Sequence, residues 1–234
     1  MEVVILAAGK GTRMFSARPK VLHRIGGKPM LQRVVDTAFS IGASQVHVVI
    51  GFGADQIKDY FDDLQGGQNI NWVLQEEQLG TGHAAQQAIS SIDKEDPDNT
   101  VLVLCGDVPL IRASTLTQLL ENSDQSSVSL LTLTTEHNHG FGRIVRDGEN
   151  QVIAIIEEKD ASAEQKEITE VNSGIMAIPG TRLAGWLERL DNSNEQAEYY
   201  LTDIVALAVQ DGCKINTLTT VSYTHLTLPT ILLV

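Results

Sequence analysis

Val3-Val4-Ile5-Leu6-Ala7-Ala8-Gly9-Lys10-Gly11-Thr12-Arg13-Met14 opens the chain and decides its fold class. Val3–Ala8 is apolar throughout and stops at Gly9, which predicts a strand buried on both faces, the kind that belongs to a parallel sheet. A loop of small residues follows at once. Small residues let a backbone approach a ligand closely, and the N–H groups of such a loop can line a row of phosphates. In open α/β sheets ligands collect beyond the carboxyl ends of the strands, where this loop falls. Arg13, and then Lys20, supply positive charge for phosphate oxygens.

Spacing excludes two familiar versions of such a loop. A Walker A motif would need Gly where Val4 stands and Ser or Thr where Gly11 stands. A dinucleotide fingerprint would place its third Gly at Met14. A Gly-rich turn serving chain geometry alone is the plainer reading; the strand before it and the cations after it argue for phosphate.

Outward from this start the apolar runs keep alternating with helical spacing. Pro29–Ile41 is helical, with Leu31, Val34, Val35, Ala38 and Phe39 on one side. Val46–Ile50 is a strand, Ala54–Asp63 a helix, Trp72–Gln75 a strand and Gly82–Ser91 a helix. Thr100–Leu104 is another buried strand ending at Gly106-Asp107, and Ser114 is the candidate N-cap of a helix reaching Asn122. This rhythm predicts an α/β protein with a Rossmann-like, mixed but mainly parallel sheet flanked by helices. Past Ser126 the rhythm changes. Ser127–Thr134, Arg143–Arg146, Val152–Ile156 and Val171–Ile178 predict a strand-rich subdomain laid against that sheet, closed by helices near Thr181–Leu190 and Thr202–Gln210. One domain over 1–220 is expected, in two parts, 1–125 and 126–220. The segment 221–234 carries no acidic or basic residue and reads as a final strand, a buried tail, or a foreign or frame-shifted end.

Composition narrows the partners. The chain has 234 residues, with Lys+Arg 17 against Asp+Glu 30 and a net charge of -13. That balance argues against nucleic acid and against an anionic membrane surface. Cys105 and Cys213 form no CxxC pair, so neither a disulfide framework nor a thiolate zinc site is expected, and a reducing, cytoplasmic setting fits.

Leu6-Ala7-Ala8-Gly9-Lys10-Gly11-Thr12-Arg13-Met14 with Pro19-Lys20 resembles the LxxGxGTRM…PK signature of the nucleotide-diphospho-sugar transferases. Further runs resemble, within that family, the uridyltransferase domains of the bacterial bifunctional enzymes that make UDP-N-acetylglucosamine. They are Gln75–Ala84, Gly106–Leu110, Gly140–Ile144, Ile156–Asp160, Val171–Ile175 and Glu198–Asp203. The resemblance runs from Val3 to about Thr219. It implies transfer of uridylyl from UTP to N-acetylglucosamine 1-phosphate, giving UDP-N-acetylglucosamine and pyrophosphate, in the supply of peptidoglycan and lipopolysaccharide precursors.

By that resemblance Arg13 and Lys20 are the catalytic cations, and Leu6, Ala7, Ala8, Gly9, Lys20, Gln75, Gly80 and Thr81 bind the nucleotide. Cys105, Gly106, Asp107, Gly142, Glu157 and Asn172 hold the sugar phosphate, and Asp107 holds Mg²⁺, a hard cation suited to carboxylate oxygen. Taken singly, Asp107 reads as a turn residue, Thr81 as a helix cap and Glu157 as a surface acid, with Glu158 its neighbour on the opposite strand face. His83, Trp72 and Trp186 read as packing residues, and Tyr199, Tyr200 and Asp203 as structural. Cys105 stands where relatives commonly have Tyr. The family's second metal ligand, an Asn in a Val-Asn-Asn-Arg context, has no counterpart past position 220, so an inactive fragment stays open beside a transferase of different base or sugar. The hexapeptide repeats of the trimer-forming acetyltransferase half of full-length relatives are absent, and no homotrimer is expected of this chain.

Overall fold

The structure is a computed structural model and describes residues 1–11, 16–63 and 69–220. Arg13 and the segment 221–234 lie outside the described residues. In chain order, β1 (Glu2–Leu6) leads to a small hairpin of β2 (Arg24–Ile25) and β3 (Lys28–Pro29), then α1 (Met30–Ser40), β4 (Gln45–Ile50), α2 (Ala54–Asp62) and β5 (Ile70–Leu74). Next come α3 (Thr81–Ala88), β6 (Thr100–Cys105), α4 (Ala113–Glu121) and β7 (Ser127–Thr134). The chain continues through β8 (Arg143–Arg146), β9 (Val152–Ile156), α5 (Ala163–Lys166), β10 (Glu170–Pro179), α6 (Gly180–Glu188), α7 (Ile204–Gln210) and β11 (Lys214–Thr220).

Nine strands share one sheet whose main path is β11-β7-β10-β6-β1-β4-β5. β1 is parallel to β4 and β6, β4 to β5, and β7 to β11. β10 alone on this path runs the other way, antiparallel to both β6 and β7. β8 and β9 stand off it, attached through Val171 opposite Arg143. The fold is thus the expected mixed, mainly parallel sheet.

Side-chain alternation explains the unbroken apolar runs. Val3, Ile5, Leu102 and Leu104 pack on one face with Leu31, Val34, Val35 and Ala38 of α1 and Leu116 and Leu119 of α4. Val4, Val101 and Val103 pack on the other with Ala84, Ala85 and Ala88 of α3, Trp186 of α6 and Ile204 of α7. A central strand covered on both sides has no polar face to show.

Two readings change, on the strand-rich part and on Ser114, and two elements, β11 and the β2–β3 hairpin, are additions to the sequence reading. The strand-rich part does not lie on a face of the parallel sheet; β7, β10 and β11 extend it edgewise, because β10 takes the free edge of β6. β11 carries a weak pattern, since Ile215 and Leu218 are three apart and face opposite sides. The β2–β3 hairpin is too short for periodicity, though Gly26 and Gly27 at φ 54° and 85° give the left-handed pair that a tight hairpin turn requires. Ser114 does not cap α4, which starts at Ala113 with Arg112 at the cap position.

Candidate active site

An open cleft of about 630 Å³ lies at the carboxyl ends of β1, β5 and β6. That volume is in the range of small-ligand sites. Leu6, Ala7, Ala8 and Gly9 line it from the first strand, and Ala7 extends the ladder by donating its N–H to Val49 at 2.8 Å. Lys20 reaches it from a one-turn 3-10 segment, Lys20–Leu22, anchored by buried Val21 and Leu22. Asp107 reaches it from just past β6, and Lys20 Nζ donates to Asp107 Oδ2 at 2.6 Å. Both side chains are about one-third exposed, so the pair borders solvent rather than the core.

Gln75, Gly80 and Thr81 form the second wall. Gln75 is 3 % exposed, and its Nε2 donates to Gly80 O at 3.2 Å and meets His83 Nδ1 at 3.0 Å. Because Gly80 O can only accept, the nitrogen must face it, which leaves the Gln75 carbonyl oxygen as a hydrogen-bond acceptor. Gly80 sits at φ 114°, and a Cβ there would come within 2.4 Å of Tyr199 O. Thr81 does not cap α3; its hydroxyl accepts from Leu201 N at 3.0 Å, tying this wall to a distant segment.

Gly142, Glu157 and Asn172 are brought together beside the cleft without lining it. Asn172 N donates to Gly142 O at 2.8 Å, and a Cβ on Gly142 would lie 2.8 Å from Ile155 Cγ2 and 3.4 Å from Glu157 Oε1. Burial raises the Glu157 carboxyl above its ordinary range, while the hydroxyl of Thr202, donating at 2.8 Å, works against that rise. β9 ends at Ile156, so Glu157 and Glu158 diverge in a turn rather than by strand alternation. Glu158 turns to Arg143, whose Nη2 lies 2.5 Å away and whose side chain is fully buried.

Cys105 joins the two groups. It lines the cleft, and its Sγ lies 3.6 Å from the carbonyl of Gly174, two residues past Asn172. Burial, with the charge of Asp107, pushes its thiol up to about 12, so it is no nucleophile at neutral pH. Gly106 is enclosed rather than facing the cleft, its N–H donated to Leu6 O at 2.9 Å. Both cysteines are free.

For a divalent cation, Asp107 offers the right donor, a partly exposed carboxylate at the open end of a strand, although one of its oxygens is engaged by Lys20. Mg²⁺ needs only one or two protein carboxylates and takes its other ligands from water and phosphate. Among the described residues no cluster of three or more His, Cys, Asp or Glu could cage a metal by itself. Asp107 therefore fits a Mg²⁺ shared with a substrate.

Sequence reasoning missed Lys10, Gln78, Ala84 and Glu198, which also line the cleft. Lys10 was legible in the Gly-Lys-Gly loop. Glu198 was not, because only the fold brings the loop before α7 against Gly80.

The sequence profile of the MobA-like NTP transferase domain matches residues 3–198. The chain belongs to this family. Among relatives, the bifunctional protein GlmU of Marinobacter nauticus is 52% identical over 217 residues, which cover 92% of this chain and 46% of that protein. The chain thus spans about half the length of that curated relative. The fold is shared with a UDP-glucose pyrophosphorylase crystallised with UDP-glucose, at TM-score 0.76 and 16% identity over 92% of this chain and 89% of that one. It is shared also with the inositol-1-phosphate CTP transferase of T. maritima, at TM-score 0.71 and 18% identity over 93% and 84%. Family membership agrees with the resemblance carried by the Leu6–Met14 loop. Among the described residues no helix is long and apolar enough to cross a membrane.

Proposed function

We propose that this chain transfers a uridylyl group from UTP to N-acetyl-α-D-glucosamine 1-phosphate, giving UDP-N-acetylglucosamine and pyrophosphate. The observation that carries the reading is the strand order β5-β4-β1-β6-β10, which sets in a row Gln75 past β5, the Leu6–Gly9 loop past β1, Asp107 with Lys20 past β6, and Asn172 on β10 with Glu157 near it. That order matches a base, a row of phosphates and a sugar. The 52% identity with a bifunctional GlmU supports the same choice.

Gln75 presents an acceptor, which suits the ring N–H of uracil and repels the unprotonated ring nitrogen of cytosine. The backbone of Ala7 to Gly9, with Lys10, Lys20 and Arg13, meets the triphosphate. Asp107 would hold Mg²⁺, which when bound would neutralise phosphate charge as it develops. Lys20, paired with Asp107, can turn to a phosphate oxygen over a short distance. A sugar phosphate is already ionised at neutral pH, so its oxygen attacks the α-phosphorus in line without a general base, and the protein's work is positioning. Glu157 and Asn172 receive sugar hydroxyls, and the missing side chain of Gly142 leaves space for the N-acetyl group.

Pyrophosphate release with each nucleoside triphosphate, against N-acetylglucosamine 1-phosphate and glucose 1-phosphate, tests the assignment. UTP with the N-acetyl sugar should give the highest kcat/KM. A better rate with another pair overturns it, and binding of UDP-N-acetylglucosamine without turnover identifies an inactive fragment.

A further inference from the structure

Glu157 is a half-buried carboxylate, and the partial loss of solvent around it disfavours its charged form. Asp160 and Glu198 add negative charge near it, and Arg143 gives only partial compensation. The side-chain hydrogen bond that it accepts comes from Thr202, 5 % exposed, whose Oγ1 lies 2.8 Å from Glu157 Oε1. Thr202 sits in a 3-10 turn, Leu201–Asp203, ahead of α7. The few residues before it grip the opposite wall of the cleft three times. Tyr199 N donates to Leu79 O at 2.8 Å, Gly82 N donates to Tyr199 O at 2.7 Å, and Leu201 N donates to Thr81 Oγ1 at 3.0 Å. Through this turn, the wall that holds Gln75 and the carboxylate of Glu157 share one rigid spacer.

We propose that Thr202 is a positioning residue, whose hydroxyl fixes Glu157 in the orientation that receives a sugar and whose turn sets the distance between the sugar carboxylate and the nucleotide wall. The inference rests on the functional reading above and deepens it. A hydroxyl is the fitting device. It donates one hydrogen bond to one carboxylate oxygen and leaves the other oxygen for a ligand, whereas a cation at this place would claim the carboxylate outright. Thr202 is β-branched and buried, which restricts the rotation of its side chain.

Calorimetric binding of UDP, UDP-N-acetylglucosamine and UDP-glucose to the full chain tests this, with thermal melting as the check on folding. Thr202→Val keeps the shape and removes the donor. It should weaken the UDP-sugar that the unaltered protein binds most tightly by about tenfold, the scale of one hydrogen bond to a charged group, and leave UDP unchanged. Thr202→Ser should restore affinity to within about threefold. Combining Thr202→Val with Glu157→Gln should be no weaker than Glu157→Gln alone, because the hydroxyl acts through that carboxylate. Equal losses for UDP and the UDP-sugar, no recovery with Ser, or additive losses in the double variant overturn the proposal. Thr202→Ala gives the same reading if the Val variant does not fold. A preference for UDP-glucose would correct the sugar in the functional reading while Thr202 is still judged, on UDP-glucose. Binding of UDP as tightly as any UDP-sugar would sink both.

Discussion

The two ends of the same strands treat polar groups in opposite ways. At the amino end, Glu2 of β1 is closed into a buried network. Its Oε2 lies 2.6 Å from His47 Nε2, and its Oε1 accepts from Asn99 Nδ2 and from the N–H of Asp93, each at 2.9 Å. Asn71 Nδ2 meets His47 Nδ1 at 3.0 Å, and Asn99 O accepts from Gly180 N at 2.8 Å. Glu2, His47 and Asn99 all take their partners there from the protein itself. At the carboxyl end, Lys20, Asp107 and the carbonyl of Gln75 border an open cleft, and the acids around Glu157 outnumber their cations. A sheet needs its ends held, and one end does the holding so that the other can keep its polar groups for a ligand.

Three changes test that division. The largest effect is expected at the open end, from Asp107→Ala. Turnover should fall by about 10³-fold or more, the scale of removing a charge-stabilising group, with melting temperature scarcely moved because the side chain borders solvent. Retained pyrophosphate release would remove Asp107 from the metal role. Next, Glu2→Ala at the closed end strips His47, Asn99 and the Asp93 amide of their shared acceptor. It should cost about 2–3 kcal/mol in urea unfolding while UDP affinity in the folded protein is kept. Loss of affinity without loss of stability would mean that the two ends are not separate in function.

The smallest effect comes from the crowded acids. Asp203 is raised from 3.8 to about 6, by burial first and then by the charges of Asp191, Glu157 and Asp160. A carboxyl whose folded-state pKa is raised stabilises the fold below its unfolded pKa, and that stabilisation is lost as pH rises through the folded value. Asp203→Asn should therefore raise the melting temperature by about 2–4 °C above pH 6 and leave it unchanged below pH 4. A gain that persists at low pH would point to a cause other than charge.

Most of the fold was legible because its central strands are covered on both faces and so spell themselves as VVIL, VVI and VLVL. Ser127–Thr134, Arg143–Arg146 and Val152–Ile156 have the same limits in sequence and structure. What escaped was set by neighbours. β11 is a strand because β7 offers it an edge, and Ser114 is no cap because α4 begins two residues earlier than that cap would set it, with Arg112 at the cap position. The cleft divides likewise. Its loop and Asp107 follow strand ends and can be placed from sequence alone, whereas Lys20 reaches the cleft from a 3-10 turn. Gln75 could be named but not oriented, since its amide direction depends on Gly80 and His83 folding back on it. Glu198 belongs to a family-like run and Thr202 reads as a helix cap, but Thr202 lies inside a 3-10 turn with Asp203 at the cap of α7, and the groups that both residues face are far away in the chain.

The reversed strand β10 has a consequence for the order of folding. Running against β6, it brings its beginning, not its end, to the edge where Leu6 and Cys105 finish, so Asn172 and Gly174 arrive beside residues laid down far earlier. Such pairings close long loops, and loops of that kind close late on a folding pathway. During refolding, the meeting of Asn172 and Gly174 with Cys105 should return no sooner than the phase that docks β10. A nascent chain released before residue 170 would own the Leu6–Gly11 loop, Lys10 and Lys20, yet lack Asn172 and Gly174 altogether.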